Sequence, residues 1–250
     1  MNDQNQPSNG PNYGIDAPDV VRRFLIVGML ATVLGCLFMV MGQSESLGWT
    51  RFLIPPSLTV GCVFFTQSSV MIWGSKVGKL RIRDRIIQSI PWRGDEMVLD
   101  VGCGHGLMLI GAAKQLRMGK AIGLDLWQKE DQAGNSREAA WQNVELEGVS
   151  NRVELKDGDA RIIPYEDHTF DVVLSSWALH NIYNPAGREA AVKEIVRVLK
   201  PGGCLAIIDI RHTDEYEQVL QREAMEDLKR TGPTIIFVIP SYAVTATKRP

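Results

Sequence analysis

The chain is poor in cysteine, with four in 250 residues and no two in a CxxC pair. That excludes a disulfide scaffold and offers neither a thiolate zinc site nor a redox pair. Cys36 and Cys62 sit in apolar runs, Cys103 in a glycine turn and Cys204 at the start of a strand-like run, a distribution that fits a reducing compartment. An excess of positive charge is also lacking. The formal net charge is −2, so no global basic field points to nucleic acid. Internal repeats, a metal-ligand motif and a lipidation motif are missing too. Charge itself disappears over two long stretches, Phe24–Met41 and Phe52–Trp73.

Those two stretches dominate the first third of the chain. A helix over Phe24–Met41 rises about 27 Å, close to the ~30 Å of a bilayer's hydrocarbon core. The second run is weaker, interrupted by Pro55, Pro56, Gln67, Ser68 and Ser69, although a first helical turn tolerates proline. Only QSESLGWTR separates the runs. The sequence therefore predicts a helical hairpin over residues 20–75, with helices at about 24–42 and 52–73, spanning a membrane twice. Arg22 and Arg23 precede the first run; Lys76, Lys79, Arg81, Arg83 and Arg85 follow the second. By the positive-inside rule both ends, and the domain beyond, face the cytoplasm. A cleaved signal peptide is one alternative, although the leader is acidic and Asn-rich and lacks a clear A-x-A site. A second helix that re-enters or lies on the interface is another. Residues 1–19, polar and rich in Asn, Pro and Gly, are predicted to be a disordered tail. The amphipathic stretch Lys76–Ile90 reads as the first helix of the next domain, a role compatible with docking on anionic lipid.

From residue 76 to 250 the pattern is that of an α/β domain. Strands are expected at MVLDVG, AIGLDL, RVELKDGD, FDVVLSSW, CLAIIDI, TIIFVIP and YAVTATK. Helices are expected at Leu107–Arg117, Ser136–Glu147, Gly187–Leu199 and Asp214–Lys229. Such alternation implies a mainly parallel sheet with helices on both faces. The last two strands are too close for a helical crossover and must reverse.

VLDVGCGHG, Val98 to Gly106, is a buried strand followed by a glycine turn that opens a helix. Gly102, Gly104 and Gly106 let a ligand approach the backbone closely, and helix N-terminal amides favour an anionic group. The spacing is G-x-G-x-G, with an acid, Asp100, before it, and so departs from the dinucleotide fingerprint. Three further segments follow in order: GLDL, ending at Asp125 and Leu126; DGDARIIPYEDHTFDVVLSSWALHNI; and RVLKPGGCLAIIDI.

Together these four segments resemble the motifs of class I S-adenosylmethionine-dependent methyltransferases, of the methyltransferase-domain type that includes quinone C-methyltransferases. The resemblance covers about Lys79 to Pro250. It implies a Rossmann-like, seven-stranded, mainly parallel sheet with a reversed C-terminal strand, here preceded by two transmembrane helices. The implied cofactor is S-adenosylmethionine. Gly102, Gly104 and Gly106 are then expected beside its amino-acid and ribose portions. Asp125 is expected to accept both ribose hydroxyls, an acceptor-only task that suits a carboxylate. Leu126, with Trp127, covers the adenine face; Asp159 and Ala160 meet the adenine amino group; Ser176 lies by the methionine portion. Asp100 orders the turn or meets the ammonium group through water.

The acceptor side is less defined. His180, Asp209 and His212, near the carboxyl ends of the fourth and fifth strands, are the candidate catalytic groups for an acceptor that needs a general base. Ligands bind at that edge of open α/β sheets. Tyr183 and Asn184 are candidates for its mouth, and LWQKEDQAGNSREAAW, with Asp131, Gln132, Asn135 and Ser136, for a lid or a longer capped loop; the amphipathic stretch Lys76–Ile90 is the candidate roof. No metal is expected. The hairpin suggests an acceptor held in the bilayer, a lipid or an isoprenoid quinone. A soluble small-molecule acceptor and a membrane-tethered, non-catalytic domain that binds the cofactor or a partner are the rival readings.

Overall fold

The computed structural model describes residues 10–128, 134–235 and 238–250. Two long helices come first, α1 (Pro18–Met41) and α2 (Ile54–Trp73), joined by a 3-10 segment, Glu45–Leu53. They pack closely because small residues face each other. A Cβ on Gly28 would come within 3.3 Å of the Phe65 ring, and one on Gly35 within 2.8 Å of Leu58. Phe24 and Phe64 meet edge to face at 5.4 Å. Both helices are long and apolar enough to cross a membrane by length and composition, yet only 11 % of each apolar stretch is buried. Their outer faces carry Leu30, Val33, Leu37 and Val40 bare. The core helix of a soluble domain would be mostly covered.

The chain does not break after Trp73. A π-helical turn, Gly74–Gly78, carries it directly into α3 (Lys79–Ser89). Ile82, Ile86 and Ile87 lie buried on one face of α3, where Ile87 and the stem of Arg83 pack onto Gly111.

The rest is one seven-stranded sheet, β1 (Met97–Val101), β2 (Lys120–Asp125), β3 (Val153–Asp157), β4 (Phe170–Ser176), β5 (Leu199–Asp209), β6 (Glu226–Thr234) and β7 (Ser241–Thr247), in the order β3-β2-β1-β4-β5-β7-β6. The first five are parallel and β7 runs antiparallel to β5. This is the expected Rossmann-like sheet with its reversed final strand. Helices α4 (Leu107–Ala113), α5 (Arg137–Leu146), α6 (Pro185–Val198) and α7 (Thr213–Arg222) cover the faces. Two apolar cores result. Met108, Leu109 and Ile110 anchor one, with α3 and α4; Val192, Ile195 and Tyr216 anchor the other, with α6 and α7. Each such side chain contributes about 1.5–3 kcal/mol on burial.

Three sequence expectations need correction. Residues 10–17 are not a loose tail. They lie as a strap against the domain, with Tyr13 buried, because partners far along the chain satisfy their backbone. Helix α7 stops at Arg222, not Lys229, and residues 226–229 belong to β6. Among the described residues, the apolar TIIFVIP contributes only Thr234 to a strand; Ile235, Val238 and Ile239 lie beyond it, between β6 and β7. As an edge strand, β6 pairs through its backbone and needs no apolar alternation.

Candidate functional site

The site is built where β1 and β2 end. After Val101 the backbone turns through left-handed conformations at Gly102 (φ 72°), Gly104 (φ 48°) and Gly106 (φ 83°), which disfavour other residues. The amides of Gly102 and Cys103 donate to the Leu124 carbonyl, at 2.7 and 3.2 Å, tying the turn to β2. The turn then donates to the acid that ends β2, from Gly104 N to Asp125 Oδ2 at 2.8 Å. The other carboxylate oxygen, Oδ1, accepts from the Trp127 amide at 2.6 Å. Asp125 is therefore held in place by two backbone donors. A carboxylate has about four lone-pair sites, so acceptor capacity remains.

In front of this turn opens a cavity of about 340 Å³, at the lower end of the usual range for small-ligand pockets. Of the ten residues expected at a cofactor, the cavity is lined by Gly102, Gly104, Asp125, Leu126, Asp159, Ala160 and Ser176. Asp100 and Gly106 stand behind it. Asp100 is fully buried and its Oδ2 accepts from the Leu109 amide at 2.8 Å, so it orders the start of α4. Burial pushes its carboxyl up to about 7. Gly106 is the residue before α4. The Asp159 carboxylate reaches the cavity already paired with Arg161, whose guanidinium holds it below the usual carboxylate range. The Trp127 indole turns away and donates to Asp157 at 2.8 Å.

The acceptor candidates arrange differently. His180 Nδ1 lies 2.6 Å from Asp209 Oδ1, and the His180 amide donates to Asp209 Oδ2 at 3.0 Å. Asp209 is fully buried and also accepts from the Tyr216 hydroxyl at 3.2 Å. It supports His180 from below and does not line the cavity. His180 does not line it either, although its neighbours Leu179 and Asn181 do. His212 precedes α7 with Nδ1 2.7 Å from Glu215 Oε1, and Glu215 is also held by Arg188; the cavity does not include it. Tyr183 and Asn184 line the mouth as expected. Ser136 caps α5 by accepting from the Ala139 amide. Asp131 and Gln132 fall outside the described residues.

Sequence reasoning offered Lys76–Ile90 as the roof of the site, and Lys79 does line it, but the strap residues and His105 were not expected there. Tyr13, Asp16, Lys79 and His105 line the cavity. The Lys79 ammonium is buried and donates to the Tyr13 carbonyl at 2.7 Å, the Gly14 carbonyl at 3.1 Å and Asp16 Oδ2 at 3.0 Å. Burial lowers its pKa, against an opposing pull from Asp16. Asn12 and Asn143 exchange two hydrogen bonds, at 2.8 and 2.9 Å, and His105 Nδ1 contacts the Asn12 carbonyl at 2.9 Å. The only sequence signal was a lysine in an otherwise apolar helix face.

The cavity's chemistry suits S-adenosylmethionine. Two of its buried polar atoms, His105 Nε2 and Asn135 Oδ1, have no partner among the described residues. Each such atom costs about 1–3 kcal/mol unless a ligand satisfies it. With His105 Nδ1 directed at a carbonyl, Nε2 of the neutral ring is an acceptor, fitted to an ammonium group. Asp125 offers acceptors for hydroxyls, and bare Leu126 offers an apolar face for a flat base.

Comparison with known proteins agrees with this geometry. The family described as "Methyltransferase domain" matches residues 99–207. A demethylmenaquinone methyltransferase of Lactobacillus johnsonii is 32 % identical over 51 % of this chain and 49 % of its own length. Methyltransferase GfsG of Streptomyces halstedii is 32 % identical over 66 % of this chain and 67 % of its own. Among solved structures, a SAM-dependent methyltransferase from Aquifex aeolicus shares the fold, with a TM-score of 0.55, 21 % identity, and 72 % of this chain and 97 % of that one covered. The match spans about half the length of the demethylmenaquinone methyltransferases. The chain belongs to the class I S-adenosylmethionine-dependent methyltransferases.

Proposed function

We propose that this protein is a membrane-anchored methyltransferase that moves the methyl group of S-adenosylmethionine to an acceptor dissolved in the bilayer, a lipid or an isoprenoid quinone. The observation that carries this reading is the wall of the cofactor cavity. Tyr13 and Asp16 stand just before α1, and Lys79 stands just after the turn that follows α2. The base of the apolar hairpin and the site are thus one structure. Anchoring raises the local concentration of a membrane-borne acceptor without any new contact. The similarity to demethylmenaquinone methyltransferases supports an apolar ring acceptor.

When bound, S-adenosylmethionine supplies an electrophilic methyl group on a sulfonium. In this reading Asp125 holds the ribose, Leu126 the adenine, and His105 with Ser176 the amino-acid portion. Positioning alone supplies much of the rate of such an in-line displacement. An acceptor hydroxyl or ring carbon must also lose a proton. His180, between the cavity-lining Leu179 and Asn181, is the proposed base through Nε2, with Asp209 holding its backbone amide and lying 2.6 Å from Nδ1. Two spans with both ends cytoplasmic leave the site open to soluble cofactor.

The test is transfer of labelled methyl groups by the full chain in native membranes, followed by organic extraction. Label in the lipid phase, lost on replacing Asp125, is the expected result. Label confined to water-soluble products would overturn the membrane acceptor. Absence of transfer despite cofactor binding would make the domain a tether without turnover.

A further inference from the structure

Three apolar residues of the C-terminal half, Ile235, Val238 and Ile239, are not in the core. They lie between β6 and β7, with 69, 44 and 40 % of their surface exposed. The sheet fixes where they sit. Asp209, the last residue of β5, pairs with Tyr242 at the start of β7, and Thr234 pairs with Ser241. The β6–β7 tip therefore projects from the carboxyl edge of the parallel strands, the edge that holds the cofactor cavity. Its base is tied to the site directly, since Trp177, just after β4, donates from Nε1 to Ser241 Oγ at 3.0 Å.

The hairpin leaves the domain from that same edge. Lys79 lines the cavity beside Gly102, Gly104 and Ser176, and from Lys79 the helical run continues without a break back to Ile54. At ~4.8 Å per strand, the tip stands roughly 19 Å across the sheet from β1. Exposed cations accompany both features: Arg22, Arg23 and Lys76 at the hairpin's base, and Arg211, Lys229 and Arg230 near the tip. Such residues attract anionic headgroups.

We propose that the β6–β7 tip is a second membrane contact, seating the carboxyl edge of the sheet on the lipid surface so that the cavity mouth opens toward the bilayer. This rests on the reading of α1 and α2 as membrane spans. Exposed apolar surface alone does not carry it. Met118 is 85 % exposed, but it precedes β2 at the opposite, amino edge, where it would remain in water. The apolar residues at the cavity mouth, Leu126 and Tyr183, share the tip's edge.

The experiment places an environment-sensitive dye on one cysteine in the full chain, reconstituted in phosphatidylcholine–phosphatidylglycerol vesicles. Cys36, Cys62 and Cys204 are first replaced by alanine; Cys103 is buried. Three positions are compared: Val238→Cys on the tip, Met118→Cys on the far edge and Val33→Cys on α1. The expected result is blue-shifted emission at 238 and quenching by doxyl-labelled lipid at least twofold above that at 118, with 118 quenched by aqueous iodide. If 33 is quenched by lipid while 238 behaves like 118, the tip contact is overturned and the spans stand. If 33 is also aqueous, the span reading fails and takes the tip contact with it. Protection of 238 from both quenchers would mean that protein covers the tip, which also overturns the lipid contact.

Discussion

Replacing Lys79 by methionine tests how the strap closes the site. The Lys79 ammonium serves three acceptors on the strap, two carbonyls and Asp16. A hydrogen bond to a charged group contributes about 1.5–3 kcal/mol when buried, and breaking a buried ion pair costs about 3–5 kcal/mol. The upper figures do not apply in full. The Asp16 side chain is 26 % exposed and recovers hydration, and methionine fills much of the space left by the lysine stem. A net loss of roughly 2–3 kcal/mol follows, which is about a 30- to 150-fold shift toward an open strap. The loss is local, because Ile82, Ile86 and Ile87 still hold α3 to the domain. Hydrogen exchange in the full chain should therefore accelerate at amides 12–16 by up to that factor, with little change in the sheet. Affinity for S-adenosylhomocysteine should fall in parallel. Asp16→Asn, which keeps both carbonyl partners of Lys79, should show a smaller change. Unaltered exchange at residues 12–16 in Lys79→Met would refute the latch.

Three further outcomes follow from the site. Asp125→Ala removes the acceptors for two hydroxyls and frees the Gly104 and Trp127 amides, so calorimetry should show cofactor affinity reduced by about 3 kcal/mol, some 150-fold. Asp209→Asn should lower the turnover rate while leaving S-adenosylhomocysteine affinity unchanged, because Asp209 supports His180 and does not line the cavity; an equal loss of cofactor binding would remove it from that role. Asp100 should make stability pH-dependent. Its folded pKa is raised from 3.8 to about 7, so between those values the native state holds a proton that the unfolded chain has released. Stability is greatest below that window, falls as pH rises through it and levels above about 7, a loss of at most ~4 kcal/mol. Thermal unfolding without cofactor at pH 5 and pH 8 should show that Asp100→Asn flattens this slope.

The sheet and the glycine turn were legible in the sequence because both are local. VLDVGCGHG joins a buried strand to a helix, and GLDL ends with the acid at the strand's tip. The strap was not legible. Its polar, Pro- and Gly-rich sequence has no periodicity, and its order comes from Lys79, about 65 residues away, and Asn143, 131 away. No local pattern announces such partners. Lys79 belongs by sequence to a basic, amphipathic run that is a candidate roof, but nothing local shows that three strap acceptors hold its ammonium inside. TIIFVIP misled for the opposite reason. Its composition suits a buried strand, but among the described residues the last pairing of the ladder, Thr234 with Ser241, comes before Ile235. The pairing of His180 with Asp209 depends on β4 and β5 lying side by side, which spacing alone does not reveal.

The central claim is that the cavity beside Gly102 and Asp125 holds S-adenosylmethionine. Calorimetry on the full chain in detergent micelles, strap included, tests it most directly by comparing S-adenosylhomocysteine with NAD. S-adenosylhomocysteine is expected to bind, NAD is not, and Asp125→Ala is expected to weaken the former. Preferential binding of NAD, or binding of neither, would contradict it.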